Sequence, residues 1–366
     1  MTTAKLTGQA RELLAQVSRS PRFAGSMPEG AARRICRIEL ERLGFACREI
    51  DFDYSQWPGL WGPQVAAGAQ LVTILIVATM ARNGDPVTAL ALGGVLFAAL
   101  MVVSRMMRRS GILGLPFLRS RGTDLEASRG QPSIWLVAHL DTKSQTVPML
   151  YRIASALALN LLTLAAFVAV LLQVAGNQGV RSYWLLMSLA AGMAALPSLL
   201  CMVRNDSPGA VDNGSGVAAV LLAARQIPRE RALGVLITSA EELGLAGARA
   251  WAETAPAESA LVNCDTVDDS GVWLCMHTGA KPELSTRAAT TARGLGLKLR
   301  TRRLIPCILA DSIAFSDRGL EAVTISRGSL STLARIHTRR DNTTALTGSG
   351  IADAAALLAA LTMEPG

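Results

Sequence analysis

The apolar residues of this chain gather into four windows. Positions 64–81, 86–104, 153–175 and 183–203 are nearly uninterrupted apolar sequence without Asp, Glu, Lys or Arg. Each approaches the roughly 20 residues that a helix needs to cross a hydrocarbon core of about 30 Å, a buried soluble helix being the competing reading of such a run. The windows pair into two hairpins, turning at 82–85 and near 176–182, so every long polar segment falls on one side of the membrane. Trp57, Trp61, Tyr151, Tyr183 and Trp184 stand at window ends, where amphipathic rings prefer the headgroup zone. Arg105, Arg108, Arg109, Lys143, Arg152 and Arg204 flank the spans on the long-segment side, against Arg82 and Arg181 in the short turns. That asymmetry predicts a four-span inner- or plasma-membrane protein with its polar part in the cytoplasm.

Outside the windows the pattern changes to short apolar runs alternating with amphipathic stretches, which predicts an α/β fold. Strands are expected at 46–52, 133–138, 233–239, 260–263 and 321–325, and helices at 29–43, 216–226, 246–254, 285–294 and 351–362. The run SIWLVA at 133–138 is wholly apolar, as in a strand covered on both faces. The expected organisation is one polar domain in three pieces, 1–60, 108–150 and 205–366, interrupted by hairpins at 61–107 and 151–204.

Composition locates the chain further. Half of its 366 residues are hydrophobic, an excess that the four windows absorb. A net charge of +8 fits a basic collar at the membrane, and no aromatic-basic motif accompanies it, so nucleic acid is not an expected partner. Six cysteines (36, 47, 201, 264, 275, 307) form no CxxC pair, which suits reduced thiols in a cytoplasmic domain. The first 30 residues contain Lys5, Arg11 and Arg19 but no apolar signal core. Gly93, Gly94, Gly192 and Ala195 permit close helix contact and leave homo-oligomerisation open.

The polar residues that could carry chemistry follow the expected strands directly. His139 and Asp141 come after SIWLVA, Glu241 and Glu242 after LGVLITSA, and Asp265 after ALVNC. Carboxyl ends of strands in an α/β sheet converge on one crevice. PGAVDNGSG at 208–216, with Asp212, and ARIHTRRDN at 334–342, with His337, add a carboxylate and a second imidazole. Imidazoles from distant segments with several carboxylates form a donor set that suits zinc and its neighbours.

Taken together, His-x-Asp at 139–141, Asp-Asn at 212–213, Glu-Glu at 241–242, Asp265 and His337 resemble the ligand set of the co-catalytic two-zinc aminopeptidases, relatives of bacterial leucyl aminopeptidase, aminopeptidase Y and glutamate carboxypeptidase. SPRFAGS at 20–26 resembles the start of that domain. The resemblance implies a mixed sheet flanked by helices, two zinc ions, and a peptide substrate. It implies that Asp212 bridges both metals, that His139 and Asp265 complete one site, and that Glu242 and His337 complete the other. Asp141 would orient His139, Glu241 would be the general base, and the bond between Asp212 and Asn213 would be cis. Asp311 stands where the family often has an Asp-His pair, with Ser312 in place of the His, and His277 is left outside the pattern.

The expected function is therefore a membrane-bound zinc peptidase, an exopeptidase of the aminopeptidase kind. Two alternatives stand beside it: acyl transfer of the glutaminyl cyclase type, and a non-catalytic membrane scaffold.

Overall fold

The computed structural model describes residues 3–107, 112–305 and 308–363; Arg108, Arg109, Cys307 and the hairpin limit at 107/108 lie outside the described residues. The chain divides into two units. One comprises Met1–Gln56, Leu113–Ser144 and Arg204–Gly366, and the other comprises Trp57–Ile112 and Gln145–Val203.

The first unit is built on an eight-stranded mixed sheet. Its strands are β1 (Ala46–Ser55), β2 (Arg119–Arg129), β3 (Ile134–His139), β4 (Leu233–Thr238), β5 (Ala260–Val267), β6 (Val272–His277), β7 (Leu299–Arg303) and β8 (Glu321–Gly328). The sheet order is β1-β2-β4-β3-β5-β8-β6-β7. β4, β3, β5 and β8 run parallel, while β1, β2 and β6 pair antiparallel with their inner neighbours. β3 and β4 are buried at every position, as their continuous apolar runs require. Because β4 lies on one side of β3 and β5 on the other, the order switches at β3, and in such sheets a switch marks where ligands bind at the strands' carboxyl ends.

Helices α1 (Thr3–Val17) and α2 (Met27–Arg42) precede β1. Ser26 caps α2 by accepting from the Glu29 N–H, and Pro28 occupies the first turn, where its missing donor costs nothing. The helices that follow in chain order are α3 (Trp57–Arg82), α4 (Pro86–Met106), α5 (Met149–Val174) and α6 (Trp184–Leu199) of the second unit, then α7 (Ser215–Gln226), α8 (Ala246–Ala252), α9 (Glu283–Gly294) and α10 (Ser349–Met363) of the first. α7 is buried from Ser215 to Ala224 because β5, α1 and α10 all pack on it. Trp135, Trp251 and Phe315 stack edge to face, with centroids 5.0 and 5.8 Å apart, at the centre of an apolar core.

The second unit is a bundle of α3, α4, α5 and α6, all four long and apolar enough to span a membrane when the 3₁₀ turn before α6 is included. Its interior is small: Ala81, Ala89, Ala191 and Ala195 are fully buried, and a Cβ on Gly93 would meet Val77 at 2.6 Å. Gly94 and Gly192 face open space instead. Tyr151 and Tyr183 are exposed, but Trp184 departs from the headgroup role expected of it. It is buried, and its indole N–H donates to Gln173 at 2.8 Å, since an unpaired N–H inside an apolar bundle would be costly.

Candidate metal centre

His139 is the last residue of β3, Glu241 and Glu242 follow β4 by three and four residues, and Asp265 lies near the end of β5. The parallel pairing of His139 with Thr238 brings the first two segments level. Asp212 enters from the loop before α7, and His337 from the segment after β8. All five side chains, with Glu241, are buried around one point.

The distances define two half-sites sharing one carboxylate. Asp212 Oδ1 lies 3.2 Å from His139 Nε2, and Asp212 Oδ2 lies 3.0 Å from His337 Nε2. Asp265 Oδ1 is 3.6 Å and Glu241 Oε2 4.0 Å from His139 Nε2, while Glu242 Oε1 is 3.1 Å from His337 Nε2. Ligand atoms of His139, Glu241 and Asp265, and separately of Asp212, Glu242 and His337, fall within 4.8 Å of one another. Glu242 Oε1 is buried with no hydrogen-bond donor of its own, an orphan that a cation would satisfy. Nitrogen and oxygen donors in this number fit zinc.

The loops are held by the chain's own polar groups. Asp141 Oδ1 and Oδ2 accept the backbone N–H groups of Glu241 and Glu242 at 3.0 and 3.1 Å. His139 Nδ1 meets the Asp141 backbone carbonyl at 3.1 Å and its carboxylate only at 3.7 Å. Asp141 thus orients the imidazole through its main chain and the Glu pair through its side chain. Arg22, fully buried, donates to the carbonyls of Leu140, Pro208 and Gly209 at 2.8, 2.7 and 3.0 Å, tying the His139 loop to the Asp212 loop. Asp341 accepts the N–H groups of Val211 and Asp212 at 2.7 and 3.1 Å. The Asp212-Asn213 peptide is cis, and Asn213 holds Cys264 O, Gly216 N and Thr266 N. Ala240, Thr266 and His337 have φ of 56°, 58° and 60°, a left-handed backbone that L residues keep at some local cost beside or at the ligands.

Electrostatics follow from crowding acids. Burial favours the neutral form of each carboxyl, yet His139 and His337 hold Asp212 below its ordinary range. Burial and the neighbouring acids raise Glu241 well above it and raise Asp265 as well. Glu242 is lowered to about 2 against its burial, by His337 and Lys143. Burial opposes protonation of His139 and His337, but the carboxylates around them raise both. Buried charges in such a set are compensated only by partners, which a bound cation would add to.

Arg22, Asp341 and Lys143 were not read as site residues from sequence. Arg22 and Asp341 lie within the SPRFAGS and RIHTRRDN segments, but their partners are backbone groups over a hundred residues away. Lys143 was expected in the basic collar at the membrane; it instead forms an ion pair with Glu242 Oε2 at 2.9 Å. Asp311 is buried and accepts from Thr238 Oγ1 at 2.5 Å, while Ser312 pairs with Thr324. His277 ends β6, outside both half-sites. Cys36, Cys47, Cys201, Cys264 and Cys275 are free thiols.

Fold and donor set define the class: an α/β protein with two groups of buried side chains able to hold a metal ion near the sheet's carboxyl edge. Residues 188–362 match Peptidase family M28. No curated protein matches the chain by sequence. Among solved structures, an aminopeptidase from Aneurinibacillus sp. strain AM-1 is 13% identical with TM-score 0.57, over 97% of this chain and 92% of that one. A zinc aminopeptidase from Bacillus subtilis is 13% identical with TM-score 0.57, over 97% and 94%. Glutaminyl cyclase from Fimbriiglobus ruber is 14% identical with TM-score 0.55, over 98% and 95%. At these identities the likenesses establish the fold, which zinc aminopeptidases and a glutaminyl cyclase share.

Proposed function

We propose that the chain is a membrane-bound zinc peptidase that removes residues from peptide N-termini. The observation that carries this reading is Asp212, whose two oxygens each face a different imidazole. Two zinc ions would be held there, one by His139, Asp265 and Asp212 and the other by Glu242, His337 and Asp212. When bound, they supply Lewis-acid polarisation of the scissile carbonyl and acidify the attacking water.

The chain's own groups do the rest. Glu241 is the general base: its carboxylate takes a proton from the attacking water and returns it to the leaving amine. Asp141 fixes the Glu241 and Glu242 backbone, so base and ligand keep their spacing. Arg22 and Asp341 hold the two loops that carry His139 and Asp212. The aminopeptidases with the same fold support exopeptidase action. Membrane attachment rests on the four apolar helices, and the cytoplasmic placement on the basic residues beside them.

The experiment is hydrolysis of aminoacyl chromogenic substrates by the purified chain and by Glu241→Gln. The expected loss is about 10²- to 10⁴-fold with zinc content unchanged; equal rates would refute Glu241 as base. The glutaminyl cyclase fold supports a second reading, acyl transfer, marked by one zinc per chain and cyclisation of N-terminal glutaminyl peptides. The intact His139–Asp265 half favours the two-zinc hydrolase. A protein that binds zinc but turns over neither substrate would be the scaffold.

A further inference from the structure

We propose that Lys143 makes the two halves of the metal centre unequal, weakening divalent-cation binding at the Asp212, Glu242 and His337 half so that the His139 and Asp265 half fills first. The inference rests on the two-zinc reading above and assigns a role to a residue that the reading does not use.

Lys143 Nζ is 2.9 Å from Glu242 Oε2 and donates to the Glu242 backbone carbonyl at 2.8 Å. Its side chain is 11% exposed. Both acceptors belong to one residue, so the ammonium is fixed against the ligand instead of sweeping the surface. Glu242 is left with Oε1, the oxygen that faces His337 Nε2 at 3.1 Å. It can therefore offer a cation one free oxygen, where an unpaired carboxylate offers two.

The other half is arranged differently. Asp265 Oδ1 accepts the neutral Thr266 hydroxyl at 3.0 Å and faces His139 Nε2 at 3.6 Å, and Glu241 and Asp141 add their carboxylates around His139. Among the described residues no lysine or arginine is ion-paired with Asp265, Glu241 or Asp141. Arg22, buried in the same region, gives its side-chain N–H groups to backbone carbonyls. Asp341 stands behind Asp212, which both halves share, and so does not distinguish them. One half thus concentrates acidic groups, while the other has one acid half-neutralised by a cation. A fixed positive charge a few ångströms from a dication repels it, and more strongly in a water-poor site. A carboxylate oxygen engaged by an ammonium is also a weaker donor.

The consequence is a centre with one resident and one exchangeable ion, whose second half responds to the free zinc concentration. The test is zinc titration of the chelator-stripped, detergent-solubilised full chain by calorimetry, with Lys143→Met and Lys143→Arg beside the wild type. The wild type should show two binding events, the second at least tenfold weaker. Lys143→Met should tighten the second at least tenfold and move the first by less than about twofold, which also shows that the variant is folded. Lys143→Arg, which keeps the cation, should stay near the wild type. A second constant unchanged in Lys143→Met, or both constants tightening alike, overturns the inference while leaving the two-zinc reading intact. A wild type that binds fewer than two zinc ions sinks that reading, and the inference with it.

Discussion

In the α/β unit the least exposed side chains include His139, Asp141, Asp124 and Asp311, whereas in the helical unit the exposed surface is leucine, valine and methionine. Leu161, Leu164, Leu186 and Met193 are 67, 62, 64 and 69% exposed, and the helical interior mixes many alanines and Ser155, Thr163 and Gln173 with a few large residues such as Ile74, Val77, Leu159, Val170 and Trp184. A unit in water hides its apolar groups and buries charge only where each charge has a partner. A unit in lipid has no reason to hide leucine, and packs through small residues and a few hydrogen bonds. The exposed leucines of the helical unit are what the second rule would leave outside, and are as informative as the buried acids.

The contrast can be broken most severely at the exposed leucines. Leu164→Arg, near the middle of α5, should cost about 3 to 4 kcal/mol of membrane insertion, read as loss of the carbonate-resistant membrane fraction. Met27→Arg, at a methionine 90% exposed in the α/β unit, should change stability by less than about 0.5 kcal/mol. Equal outcomes would mean that the two surfaces face the same solvent.

A smaller effect lies in the buried acids. Burial lifts Glu29 to about 7, although Ser239 and the Gly25 N–H both donate to it. The folded state therefore holds a proton that the unfolded state releases at lower pH. This contribution is complete below the unfolded value, and stability falls as pH rises toward and through about 7. Glu29→Gln should flatten that slope and be more stable than wild type at pH 8 by up to about 3 kcal/mol. Parallel thermal-melting curves between pH 5 and 8 would show that Glu29 carries no such proton. The smallest effect is expected inside the bundle. Gln173 donates to Ala81 O at 2.7 Å and accepts from Trp184, so Gln173→Leu should destabilise by about 1 kcal/mol, measurable as a lower melting temperature in detergent.

How much of this was legible in sequence follows the same division. His139, the Glu241-Glu242 pair and Asp265 were readable because each lies at, near or just beyond the end of a largely apolar strand, where an acid or imidazole is conspicuous. The four long apolar helices were readable from charge-free length, although α3 begins at Trp57, before the apolar run, and passes through Pro63. β2 was missed because it reads as polar, RSRGTDLEASR, yet it sits inside the sheet. Its acids are tolerated because Asp124 accepts Ser239 N, and Glu126 takes both Arg48 and the Trp251 indole. β6 and β7 lie at the sheet's far edge, where Leu299–Arg303 shows no apolar run to signal a strand. α1 did carry a signal, with Ala10, Leu13, Leu14 and Val17 at helical spacing and nearly fully buried. Lys143 and Asp341 could not be read, because what each does is decided by a partner distant in the chain.

The central claim is that one carboxylate joins two metal-binding halves, and zinc analysis of purified wild type against Asp212→Ala tests it most directly. The account predicts close to two zinc ions per chain in the wild type and loss of both in the variant, with the protein still folded by circular dichroism. Two ions retained by Asp212→Ala, or none in a folded and fully zinc-supplied wild type, would contradict it.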